Sequence, residues 1–259
     1  MARVRVAGYQ LDFPAGEPEA ERRQRVAEIL AGAPASDLLA LPELWDVGYF
    51  AFDRYQLAAM PLDEGPVTAL SALSSPAVVV AGSVLERSPT GVHNTIAVLG
   101  SGGQLVGAYR KMHLFRYGSR EGELLTPGAG ATVVDVGGLN VGLATCFDLR
   151  FPEQFAAMRD AGADVFVVPA AWPAARASHW EVLVRARAIE TQTPVAAVNG
   201  VGPCHGVELA GRSMVVDARG EVVATAGSGR PGWLEATIDT DDTCAWRQEF
   251  PLRAAAGVS

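Results

Sequence analysis

The stretch VGLATCFDLRFPE, residues 141–153, decides how this chain is read. Its apolar opening, 141–145, predicts a buried strand that stops at Cys146, with Phe147, Asp148, Leu149 and Arg150 following at once. Pro152 suits the first turn of a helix, because it fixes φ and forfeits only a donor that has no partner there anyway. The segment PEQFAAMRDAG then carries apolar residues at helical spacing. Strand, tight turn and helix in that order put a thiol at the carboxyl end of a strand. Backbone N–H groups at the helix start favour negative charge there, which suits a thiolate. Free cysteine is more often a small buried hydrophobe, so the other strand ends carry weight.

Two of them end on charge. SDLLALPE (36–43) closes on Pro42 and Glu43 with Trp45 just beyond, and QLVGAYRK (104–111) closes on the basic pair Arg110 and Lys111. In open α/β sheets the carboxyl ends of the strands gather the reactive groups. A carboxylate, an ammonium and a thiol far apart in sequence therefore have a route to one place.

Composition bounds the class of protein. A length of 259 residues suits one large α/β domain. With 49% hydrophobic and 19% charged residues, disorder is not indicated. A formal net charge of −8 argues against a phosphate-binding surface, so no nucleic-acid partner is expected. The three cysteines, Cys146, Cys204 and Cys244, are widely spaced with no CxxC, which suggests neither a disulfide framework nor a zinc site and fits a reducing, cytoplasmic setting. The chain starts directly into a strand pattern, and no apolar run approaches the length of a membrane span, so no membrane association is expected.

Taken in order, the pattern predicts a strand at 4–11 and a helix at 17–31 whose Glu21, Arg22, Arg23 and Arg25 form a solvated face. An aromatic-rich loop with a short helix follows Glu43. A short helix near 67–73 and a strand at 77–86 come next. Segments 93–99 and 104–111 form a hairpin across GSGG, and 131–137 and 139–145 form another around a Gly pair. A buried strand at 164–172 precedes a helix at 178–192 with Trp180, Leu183, Val184 and Ile189 inward. Short strands at 194–201, 212–217, 221–225 and 233–238 complete the pattern, and the tail after Arg247 carries little signal. Strands outnumber helices, and the helices come singly between strand groups. That order predicts two stacked sheets with helices outside.

LPELW (41–45), YRKMHLF (109–115) and CFDLRFPE (146–153) resemble, in that order, the three catalytic segments of the nitrilase superfamily of carbon-nitrogen hydrolases. TPG at 126–128 and HWEVLVRARAIETQ from His179 extend the likeness to about residue 239. The resemblance implies a single domain over 1–259 with the α/β fold of a four-layer αββα sandwich: two mixed β-sheets with outer helices. It implies an enzyme without cofactor or metal, built on Glu43 as general base, Lys111 as cation and Cys146 as nucleophile. Glu43 would take the thiol proton as sulfur attacks an amide carbon, return it to departing ammonia, and then activate water for the thioester. Lys111 and the N–H of Phe147 would face the oxyanion. Of two acids before TPG, Glu121 has the better spacing for a second carboxylate on Lys111, and Glu123 reads as solvated. Family members commonly pair into homodimers or larger homo-oligomers.

For the substrate, Phe147 and Asp148 resemble the pair of amidase-type members, where many nitrilases carry Trp-Glu. HLF, TPG and RARAIE look most like omega-amidases, which release ammonia from the terminal amide of a dicarboxylate monoamide. Arg150 would anchor a carboxylate or pair with Glu153, and Tyr49, Trp172 and His179 are pocket candidates by their nearness to the motifs. Other readings stay open: an N-carbamoyl-amine hydrolase or a nitrilase on the same fold, a Cys–His mechanism through His113 or His179, and a catalytically silent interaction protein.

Overall fold

The computed structural model describes residues 3–71 and 78–252. Two six-stranded sheets dominate it. The first holds β1 (Arg3–Gln10), β2 (Leu38–Ala40), β3 (Val78–Ser88), β4 (Gly91–Leu99), β5 (Leu105–Arg110) and β14 (Gly232–Asp239), in the order β14-β1-β2-β3-β4-β5. The second holds β6 (Thr132–Val136), β7 (Leu139–Leu143), β8 (Val165–Ala170), β9 (Val195–Asn199), β12 (Met214–Val216) and β13 (Val222–Thr225), in the order β13-β12-β9-β8-β7-β6. Between β9 and β12 runs a separate hairpin, β10 (Val201–Cys204) and β11 (Val207–Ala210). Each sheet is mixed, with parallel strands at its centre: β1, β2 and β3 in one, β7, β8 and β9 in the other.

Three apolar clusters define four layers. The middle one joins the sheets: Val6, Leu38, Ile96 and Tyr109 of the first pack on Val141, Val167, Val198 and Val215 of the second. One outer cluster packs α1 (Glu19–Ala31) through Val26 and Leu30, α2 (Tyr55–Ala58) and α3 (Gly65–Ser71) over the first sheet. The other packs α5 (Pro152–Asp160) and α6 (Ala177–Thr191) over the second through Phe155, Met158, Trp180 and Val184. Both central runs are buried on two faces, which explains why β8 reads VFVVPA without alternation. Fully burying a side chain of this size is worth roughly 1.5–3 kcal/mol. The sheets approach closely at Gly8, where an added Cβ would lie 2.6 Å from a Val198 methyl.

The two-sheet sandwich and both hairpins agree with the sequence pattern, and the differences have physical causes. Arg22 is not on a solvated face: it is buried, donating to Glu17 at 2.8 Å and to the Asp46 carbonyl at 3.1 Å. A paired guanidinium hides from a polarity pattern. Ile189 is 47% exposed although its spacing on α6 suggested the core. The β10–β11 hairpin, α4 (Glu121–Leu124) and α7 (Thr240–Glu249) are additional elements. α7 is announced by an Asp239 side chain that accepts from the Asp242 N–H, a cap, while its apolar content is too low for a periodicity signal. The expected ends at Leu73 and Ala77 lie outside the described residues.

Candidate active site

The strand expected at 141–145 is β7, which ends at Leu143, and the turn before α5 is a short 3-10 helix, Cys146–Arg150. Cys146 itself sits at φ +46, a conformation that costs a non-Gly residue energy and turns the thiol off the end of β7. Asp148 locks this turn. Its buried carboxylate accepts from the Thr145 N–H (2.8 Å), the Tyr109 hydroxyl (2.7 Å), the His113 N–H (3.1 Å) and His113 Nδ1 (2.8 Å). The nucleophile's turn is thereby tied to the end of β5 in the other sheet.

The end of β5 delivers Lys111. Alternation sends neighbours to opposite sides: Arg110 pairs with Glu86 at the surface, and Lys111 turns inward and is 1% exposed. Gly128 of the TPG segment holds this end in place, its N–H donating to the Lys111 carbonyl at 2.8 Å. A Cβ there would meet the Arg110 carbonyl at 2.0 Å, so only glycine allows the approach. Glu43 lies past the end of β2. Its N–H donates to the Ala170 carbonyl (3.3 Å) and its Oε2 accepts from the Ala171 N–H (3.0 Å), both at the carboxyl end of β8.

These three ends meet. Lys111 Nζ donates to Glu43 Oε1 at 2.8 Å and to the two oxygens of Glu121 at 2.9 and 3.0 Å, with all three side chains fully buried. The Cys146 thiol lies against the Glu43 carboxylate and the Ala171 backbone. Glu121, at the start of α4, also accepts from the Phe115 N–H at 2.7 Å and the Tyr49 hydroxyl at 3.1 Å. Glu123 lies at the surface beside Arg120. Asn94 on β4 was not foreseen. Its amide nitrogen donates to Glu43 Oε1 and to Glu121 Oε1, both at 2.9 Å, and so holds the two carboxylates together. The available signal was the polar run His93-Asn94-Thr95 inside β4, GVHNTIAVL, all three of which are buried.

Burial and electrostatics set the protonation states. Burial, and after it Glu121, push the Glu43 carboxyl above its ordinary value against the pull of Lys111, which makes it a stronger base than an exposed glutamate. Burial alone would lower Lys111, but Glu121 and Glu43 outweigh it and keep the ammonium charged. Burial and the Glu43 carboxylate push the Cys146 thiol well above its ordinary value, and Lys111 and the Ala171 N–H oppose this without prevailing. The thiolate expected at a helix start is therefore not the resting form.

The thiol opens into a cavity of about 360 Å³, mouth included, lined by Tyr49, Phe50, Phe115, Phe147, Ala171, Trp172 and Pro173, with Arg150 and Arg176 as its charged members. Four of the five expected pocket residues, Tyr49, Phe147, Arg150 and Trp172, are in this lining. His179 is exposed on α6 and outside the lining, its Nδ1 3.2 Å from Arg150 Nη2. Arg150 thus lies beside His179 and forms no ion pair with Glu153 among the described residues. The Cys–His reading has no geometry to stand on, because the His113 ring is held by Asp148 and stacked on Phe151 at 3.6 Å, and His179 faces Arg150.

An αββα sandwich with a buried cysteine, two carboxylates and an ammonium at adjoining strand ends defines a class, and residues 5–248 match the family described as carbon-nitrogen hydrolase; the chain belongs to that family. Among its relatives is the 2-oxoglutaramate amidase of Paenarthrobacter nicotinovorans, 35% identical over 95% of this chain and 87% of the relative. The 2-oxoglutaramate amidase of Bacillus subtilis is 34% identical over 95% of both chains. Among solved structures, Xanthomonas campestris XC1258, which carries an arsenic adduct in its active site, superposes with a TM-score of 0.90 at 30% identity, over 100% of this chain and 98% of that one. Saccharomyces cerevisiae Nit3 of the nitrilase superfamily superposes with a TM-score of 0.87 at 29% identity, over 97% and 95%.

Proposed function

We propose that this chain is an omega-amidase, a cysteine amidohydrolase that cleaves the terminal carboxamide of a short dicarboxylate monoamide to carboxylate and ammonia. The observation that carries the reading is the Cys146 thiol held against the buried Glu43 carboxylate at the floor of an apolar cavity whose charged members are both guanidiniums. The names of the relatives from P. nicotinovorans and B. subtilis support the same substrate class.

In this mechanism the amide carbon sits over Cys146 and the distal carboxylate lies toward Arg150. Glu43 takes the thiol proton as sulfur bonds to the carbonyl carbon. The oxyanion faces Lys111 and the N–H of Phe147, which at the start of the 3-10 turn has no acceptor within its own helix. Glu43 passes the proton to the amide nitrogen, the C–N bond breaks, and ammonia leaves a thioester. Glu43 then takes a proton from water, hydroxide adds to the thioester, and sulfur departs and recovers that proton. Glu121 keeps Lys111 charged and aimed throughout, and no cofactor is called for.

Ammonia release from a panel of dicarboxylate monoamides, neutral amides, nitriles and carbamoyl amino acids tests the reading. Wild type turns over the first group fastest, and Cys146→Ala abolishes turnover. Equal rates in the two proteins would remove Cys146 from the chemistry, and preference for nitriles or carbamoyl compounds would move the substrate class.

The same proposal takes the chain as a single domain that works in the cytoplasm as a homodimer or larger homo-oligomer. One family match over 5–248 supports the first, and three free thiols suit a reducing compartment. Exposed Val182 and Ile189, two turns apart on α6, support a contact between copies. No helix of the described residues is long and apolar enough to cross a membrane.

A further inference from the structure

Arg176 was not singled out by any sequence motif, yet it borders the Cys146 cavity beside Arg150. Its backbone is fixed in a 3-10 turn after Pro173, with its N–H on the Pro173 carbonyl at 3.0 Å and its carbonyl taking the Trp172 indole N–H at 2.8 Å. The guanidinium reaches across the mouth to lie 5.8 Å from the rings of both Phe115 and Tyr117, on the loop that leads to Glu121. Arg150 comes from the nucleophile's turn and lies 5.0 Å from the Trp172 ring. Neither guanidinium has a carboxylate partner among the described residues, although the chain carries 29 acidic side chains against 21 basic ones. Burial, and after it the charge of Arg176, lower Arg150 from its ordinary value.

Two unpaired like charges held at one cavity mouth cost free energy until an anion lies between them, and a guanidinium fork fits a carboxylate edge. Both are carried by short 3-10 turns that line the same cavity, so the arrangement is built and does not wait for the ligand. We propose that Arg176 is a specificity-determining residue that, together with Arg150, binds the distal carboxylate of the acyl group and selects anionic amides over neutral ones of equal length. This rests on the amidase reading for the reaction, but the anion site is defined by its own geometry.

The test compares succinamate with butyramide, of matched length with and without the carboxylate, in wild type, Arg176→Ala and Arg176→Lys. The ratio of kcat/KM values falls by about tenfold or more in Arg176→Ala, the scale of one charge-assisted contact. Arg176→Lys, which keeps the charge and loses the fork, falls between and guards against a folding artefact. Calorimetric titration with succinate, the product, gives a second reading without turnover: Kd rises by a similar factor in Arg176→Ala. A ratio and a Kd within twofold of wild type would overturn the inference. If wild type releases no ammonia from either amide while succinate binding still weakens in Arg176→Ala, the amidase reading falls and the anion site stands.

Discussion

Burial pushes both Cys146 and Glu43 toward their neutral forms. The sulfur cannot wait as a thiolate, so the base must act as the bond forms. For the acid limb of kcat/KM the sign follows from the direction of the Glu43 shift. Its folded pKa lies above the ordinary 4.5, activity needs the carboxylate, and activity is present above the folded pKa and lost as pH falls through it. The acid limb therefore sits at a higher pH than an exposed glutamate would give, and Glu43→Gln loses roughly 10²- to 10⁴-fold in rate. A pH profile flat down to pH 4, or a Glu43→Gln variant near wild-type rate, would exclude this role for Glu43. At the same scale, Asn94 shows why sequence reading stopped short. An amide bridging two carboxylates has no periodicity and no partner nearby in the chain, and only the crossing of β4 beneath Glu43 and Glu121 gives it a function.

Among the elements, the 3-10 turn at Cys146–Arg150 matters most, because it aims both the nucleophile and Arg150. It is one turn long and carries a left-handed residue, so its own hydrogen bonds cannot hold it. Asp148 does so from within, taking donors from Thr145, Tyr109 and His113. Asp148→Ala leaves those buried donors without an acceptor, and a cost of about 3 kcal/mol or more is expected in urea unfolding, with activity falling in parallel. Less than about 1 kcal/mol would mean that packing alone sets the turn. The DLR segment is legible as a turn from sequence, but the reason for its aspartate is not, since Tyr109 and His113 come from the end of β5 in the other sheet.

At the scale of the molecule, the site exists because two sheets stack with their strand ends in register: β2 and β5 of one bring Glu43 and Lys111, β7 and β8 of the other bring Cys146 and Ala171. The stacking distance is therefore a catalytic variable. The sheets approach closely at Gly8, and Gly8→Val drives a side chain into Val198. Overpacking of this kind costs roughly 1–3 kcal/mol and lowers Tm by roughly 2–10 °C. An unchanged Tm would show that the sheets separate freely there.

The chain by itself determined the layered α/β architecture, since apolar runs buried on both faces, hairpins around glycine pairs and amphipathic helices are local patterns that burial enforces. It also marked Glu43, Lys111 and Cys146, because each ends a strand and sits in a recognisable segment. What only the tertiary structure decided is how those groups are protonated and what surrounds them: the neutral thiol, the Asn94 bridge, the Asp148 lock and the paired guanidiniums at the entrance. Hydrogen bonds and charge interactions act through space between segments 27 to 128 residues apart, as between Asn94 and Glu121 or Glu43 and Ala171, and no local pattern records them.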